Sequence, residues 1–117
     1  MTGQLSALQQ LAVNSASDKK AFDILILDLR NRSDLTDFFM ICSGNSKVHV
    51  QSIVDTILDN CYQTHNKPLA IEGYSGGNWI VVDLADLIVH AFHKEARLQY
   101  DLERLWGDVP VIKAVGQ

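Results

Sequence analysis

WIVVDLADLIVHAF, residues 79 to 92, reads as two strands, WIVVDL (79–84) and DLIVHAF (86–92). Side chains alternate across an extended chain. Ile80, Val82 and Leu84 therefore share one side of the first strand, and Trp79, Val81 and Asp83 the other. On the second strand, Leu87, Val89 and Ala91 oppose Ile88, His90 and Phe92. One side of each strand is wholly aliphatic and belongs against a core. The other mixes aromatic, charged and imidazole groups, which is the composition of a protein-binding patch. A second helix lying over that side would instead bury Trp79 and Phe92.

Upstream, LAIEG (69–73) is a further strand, followed by the turn YSGGN (74–78) with its adjacent glycines. Residues 46 to 62 carry the clearest helical period: Val50, Ile53, Val54, Ile57, Leu58 and Cys61 form one apolar stripe. Asn45 or Ser46 is placed to cap its start, and Asn66 through Pro68 end it. FFMICS (38–43) and DILILDL (23–29) are short, apolar, buried strands, joined by the polar RNRSDLTD (30–37). Leu5, Leu8, Leu11 and Ala12 give residues 3 to 17 an amphipathic helix. Downstream, KEARLQYDLERLW (94–106) begins as a helix and breaks near Tyr100, and DVPVIKAVGQ (108–117) reads as a loose tail.

The order α-β-β-α-β-β-β-α predicts an α/β fold, a mixed five-stranded sheet packed with helices. A purely parallel doubly wound sheet does not fit it. The helix after the second strand supplies a crossover, so parallel neighbours are expected there. With 117 residues the chain is expected to form one domain over 1–117, its core at about 5–108, with a flexible C-terminal tail.

Ten Lys and Arg against fourteen Asp and Glu leave a formal charge of -4. Gripping nucleic acid takes clustered cations, and here the only adjacent pair is Lys19-Lys20. No direct DNA contact and little direct rRNA contact are expected; the natural partner of an acidic body is a basic protein. Cys42 and Cys61 lie in apolar segments without a C-x-x-C and read as buried thiols. No basic-then-apolar leader begins the chain and no run reaches the ~20 apolar residues of a membrane span. A cytoplasmic protein with no membrane partner is expected.

Chemical sites fare poorly. His90 and His93 are three apart on a strand and point to opposite faces, so they do not share a metal ion; His49 and His65 sit on a different segment. SGNS (43–46) follows a strand and opens a helix, where free N–H groups can hold phosphate, but a lone Gly-Asn-Ser is a weak signal, and a turn at Gly44 with a cap at Asn45 or Ser46 is the favoured reading. Nucleotidyl transfer needs two convergent carboxylates. The nearest pair, Asp83 and Asp86, diverges on extended chain. Asp86 and His90 share a side but lie about 13 Å apart at ~3.3 Å per residue. No enzyme, metal or cofactor is expected.

Four motifs occur together: D-x-x-x-I-C-S-G-N-S (37–46), E-G-x-x-x-G-x-W (72–79), D-L-x-D-x-x-V-H-x-F (83–92) and Y-D-L-E-R-L-W (100–106). In combination the chain resembles the ribosomal silencing factors, the RsfS or Iojap family, over roughly residues 5 to 108. The resemblance implies a nucleotidyltransferase-like topology without the catalytic residues. It implies binding to the large ribosomal subunit through ribosomal protein uL14. Joining with the small subunit would then be blocked sterically and translation repressed when nutrients are scarce. A role in large-subunit assembly, a nucleotide-binding or nucleotidyltransferase-like enzyme, and a homodimer are the alternatives. On the matched positions, Asp83, Asp86 and Glu103 would pair with basic groups of the partner. Trp79, Phe92, Tyr100, Leu102 and Trp106 would supply apolar anchorage, with His90 in the same patch.

Overall fold

The computed structural model describes residues 5–31, 34, 36–100, 104 and 110–113. Helix α1 (Ala7–Asp18) leads into strands β1 (Phe22–Asp28) and β2 (Phe38–Gly44). Helix α2 (Lys47–Gln63) follows, then β3 (Ala70–Glu72), β4 (Trp79–Asp83), β5 (Leu87–His93), α3 (Lys94–Tyr100) and β6 (Val111–Lys113). The strands form one six-stranded sheet in the order β3-β4-β5-β2-β1-β6. Among the described strands only β2 and β5 run parallel; the crossover between them contains α2 and the β3–β4 hairpin. The predicted mixed sheet is present, with six strands and not five. The sixth comes from the segment expected to be a loose tail: Val111–Lys113 adds to the outer edge of β1, pairing Leu25 with Lys113.

The starts of α1 and α2 follow from local chemistry. Ser6 Oγ accepts from the Gln9 N–H at 3.1 Å while Gln9 Oε1 accepts from the Ser6 N–H at 3.1 Å, a reciprocal box that begins α1 four residues later than the period alone placed it. Of the two possible caps of α2, Ser46 is the one used: its Oγ accepts from the His49 N–H at 3.0 Å. The stripe on α2 lands as its spacing requires. Val50, Ile53, Val54, Ile57 and Cys61 are fully buried against α1 and the aliphatic side of the sheet. At about 2 kcal/mol for each buried aliphatic side chain this is the largest single contribution to α2's place in the fold. Asn60 Nδ2 donates to Ser15 Oγ at 2.7 Å and ties the two helices together.

α3 lies on the opposite face of the sheet, where Leu27, Leu29, Phe39, Ile41, Phe92 and Ala96 form a second, smaller cluster. The molecule thus has three layers: α1 and α2, the sheet, and α3. Arg97 is buried and donates to Ser43 Oγ at 2.8 Å and to the Asp23 carbonyl. That carbonyl is available because β1 is irregular there: the register shifts between Phe22 and Leu25, and Asp23 has φ +52°. A buried cation is tolerated when its donors find acceptors, and α3 is held to the sheet by that need.

Candidate interaction surface

Trp79 begins β4 because the preceding turn delivers it there. Gly73 and Gly77 both have positive φ, +79° and +71°, a region that favours glycine. A Cβ on Gly73 would lie 2.2 Å from the Trp79 carbonyl oxygen, and one on Gly77 would lie 2.8 Å from Lys47 Cβ. The glycines of E-G-x-x-x-G-x-W are therefore steric requirements. The turn is also fastened to α2: Tyr74 Oη donates to Asp55 Oδ1 at 2.7 Å, and Gln51 Nε2 donates to the Tyr74 carbonyl at 2.8 Å. The Asp55 carboxylate, by that bond first and then by its charge, raises the Tyr74 phenol above its ordinary range.

On the α3 side, β4 and β5 assemble an aromatic stack. Measured between ring centroids, Trp79 stacks on Phe92 at 5.1 Å and meets Tyr100 at a tilt at 4.7 Å, and Phe92 and Tyr100 lie 6.4 Å apart, so the three rings form a triangle. The Trp79 Nε1–H donates to His90 Nδ1 at 3.0 Å, and His90 meets Phe39 edge-on at 4.5 Å. Burial holds the His90 imidazole well below its ordinary value, at about 4. It is therefore neutral, with Nδ1 as acceptor and the hydrogen on Nε2. Tyr100 is exposed, Trp79 is half-buried, and Phe92 and His90 are buried. The covering helix that the alternation left open as a possibility is α3, and it buries Phe92 and only part of Trp79. Phe92 and His90, read from the alternation as part of the patch, form its backing; Trp79 and Tyr100 form its face.

The acids divide. Asp83 stays on this face, two residues beyond Val81, and its Oδ1 accepts from the Ala85 N–H at 2.9 Å. Asp86 does not join it. The chain is not extended between them, as the spacing argument had assumed. It turns at Ala85, φ +72°, with Thr36 Oγ1 holding the Ala85 carbonyl at 2.9 Å. Asp86 instead lines a cleft of about 570 Å³ on the α1 side, with Leu8, Leu11, Asp37 and Phe38. The two acids still diverge, by a turn and not by alternation. Leu102, Glu103 and Trp106 lie outside the described residues.

Two placements escaped the sequence reading because they depend on register. Glu72 pairs with Val81 across the β3–β4 ladder, so it shares the aromatic face and adds a carboxylate beside Asp83. Asp37 and Asp86 immediately precede the paired Phe38 and Leu87 of the parallel ladder and so sit side by side. Two acids are short of a metal site, and among the described residues no three of His, Cys, Asp or Glu converge. The loop at 43–46 uses its polar groups internally. Asn45 N–H donates to His49 Nδ1 at 2.9 Å, and Ser43 Oγ accepts from Arg97. His90 and His93 fall three apart within β5, on opposite sides as expected. Cys42 and Cys61 are buried free thiols, and no helix among the described residues is long and apolar enough to cross a membrane.

The family model described as "Ribosomal silencing factor during starvation" (RsfS) matches residues 3–117. Ribosomal silencing factor RsfS of Halalkalibacterium halodurans is 41% identical over 109 residues, covering 93% of each chain. A crystal structure from Bacillus halodurans superposes with a TM-score of 0.82 at 39% identity, covering 92% of this chain and 97% of that one. A more distant relative is the mouse "mitochondrial assembly of ribosomal large subunit protein 1". It is 28% identical over 99 residues, spanning 82% of this chain and 43% of that protein. A match over almost the whole chain, together with relatives above two-fifths identity, shows that the protein belongs to the RsfS family of ribosomal silencing factors.

Proposed function

We propose that this protein represses translation by docking on the large ribosomal subunit through ribosomal protein uL14, where it blocks joining with the small subunit. The observation that carries the reading is the half-buried Trp79 packed beside the exposed Tyr100, with the carboxylates of Glu72 and Asp83 farther along the same face. Aromatic anchors in a polar, acidic rim suit a basic protein partner. A net charge of -4 disfavours the neighbouring rRNA backbone. The protein acts as one domain over 1–117 in the cytoplasm, as an adhesive body and not as an enzyme. Its family's likeness to nucleotidyltransferases is one of architecture.

The test is co-sedimentation with isolated large subunits, and with isolated uL14 in a pull-down. Changing Trp79 and Asp83 together to alanine abolishes binding. Because Trp79 packs on Phe92, the surface charge reversal Asp83→Lys is the companion variant, which keeps the stack and weakens binding. Normal binding by both folded variants would overturn this surface assignment. A second reading, large-subunit assembly, is favoured by the name of the mouse relative. It predicts accumulation of immature large subunits in cells lacking the protein, with joining of mature subunits unchanged. Self-association through the same face predicts a dimer in light scattering that dissociates as uL14 is added.

A further inference from the structure

We propose that His90 is a positioning residue for Trp79 and that it sets the chemistry the partner must present. The proposal rests on the docking surface described above. Stacking on Phe92 and the tilted contact with Tyr100 hold the indole in place but leave free which edge faces out. The hydrogen bond to His90 decides it. With Nε1–H committed at 3.0 Å to a buried acceptor, the indole has no donor left for a partner, and it offers hydrocarbon. The docking residue opposite Trp79 is then apolar, an aliphatic side chain and not a carbonyl or carboxylate, while the basic groups of the partner meet Glu72 and Asp83 farther along the same face.

The residue choice at position 90 supports this. His90 is 7% exposed, and with Nδ1 accepting, its Nε2 is a buried donor with no partner among the described residues. An unsatisfied buried N–H costs on the order of 1–3 kcal/mol. The neighbours Phe39 and Phe92 show that an aromatic hydrocarbon fits the same cluster. An imidazole here sacrifices stability to place an acceptor under Trp79.

Two variants separate positioning from packing. His90→Asn keeps an acceptor near the place of Nδ1, and His90→Phe fills the space without one. The indole signal of Trp79, assigned with Trp79→Phe, is followed by nitrogen–proton NMR in the full chain. Its N–H exchanges slowly with solvent in the parent and in His90→Asn, and fast in His90→Phe. Binding to isolated large subunits falls roughly three- to tenfold in His90→Phe, the equivalent of one neutral hydrogen bond, and is largely restored by His90→Asn. In a Trp79→Phe background, His90→Phe has no further effect. An equal loss in that background, or parent-like exchange and binding in His90→Phe, overturns the proposal. If the parent itself does not bind large subunits, the docking reading fails, and the indole exchange alone decides whether His90 positions Trp79.

Discussion

Arg97 and Ser43, 54 positions apart in the chain, meet at 2.8 Å between α3 and the sheet. The same guanidinium also takes the Asp23 carbonyl released by the irregularity in β1. One buried side chain therefore joins three elements. Arg97→Met keeps most of the volume and leaves the Ser43 hydroxyl and the Asp23 carbonyl without this donor. It is expected to cost about 3 kcal/mol, read as a lower urea midpoint. Faster amide exchange in α3 accompanies it. An unchanged midpoint would show that the contact holds nothing.

Gly73→Ala places a methyl against the Trp79 carbonyl at a positive φ. Relief requires moving either the turn or the strand, at a cost of about 2–3 kcal/mol. The expected signature is loss of stability together with a shift in tryptophan emission, since the displaced backbone carries Trp79. Gly76→Ala is the control: its φ is not positive and a Cβ there meets nothing closer than 3.8 Å, so stability stays within about 0.5 kcal/mol of the parent.

His90 makes stability depend on pH in a definite direction. An imidazole in the unfolded chain has the ordinary value of 6.5, and burial pushes the folded one down to about 4. Between those values the unfolded chain takes up a proton that the folded protein refuses. The stabilisation is complete above about 6.5 and declines as pH falls to about 4. The total lost is on the order of 3 kcal/mol. Urea midpoints at a series of pH values check it: this component is absent in His90→Phe, whose slope over the same range is shallower. Parallel slopes would show that the imidazole is not buried neutral.

The two thiols are expected to be inert in the folded state. Burial raises both, Cys42 to about 12 despite the opposing charge of Arg97. Since the thiolate is the reactive form, neither alkylates with iodoacetamide at pH 8 in native buffer, and both do in urea. Rapid native labelling of either one would contradict the packing of β2 or α2.

How much of this was legible beforehand divides along the range of the interactions. The stripe from Val50 to Cys61 and the alternation from Trp79 to Phe92 are local periods, and α2, β4 and β5 are where those periods put them. Ser46 as cap and the two thiols as core residues are also local readings. What was missed requires knowing which strands become neighbours. Val111–Lys113 is three residues behind a proline, too short to signal a strand, and it exists as one because β1 offers an edge. Glu72 enters the aromatic face only through its register with Val81. The burial of Phe92 and His90 depends on where α3 crosses the sheet, and alternation says which side a residue faces, not what covers it.

Among the described strands the parallel ladder pairs Phe38 with Leu87, and the antiparallel ladder at one border pairs Leu25 with Lys113. Neighbours at the centre and at one border of the sheet are thus drawn from distant parts of the polypeptide. Such a topology has a high contact order, so chain closure precedes the reward of pairing and folding is slowed. During synthesis the first half emerges with β2 still lacking one flank, and the β1 margin stays open until Val111–Lys113 has emerged. The nascent protein is most vulnerable to wrong partners before β5 emerges, when the margins of β2 and β1 are both open.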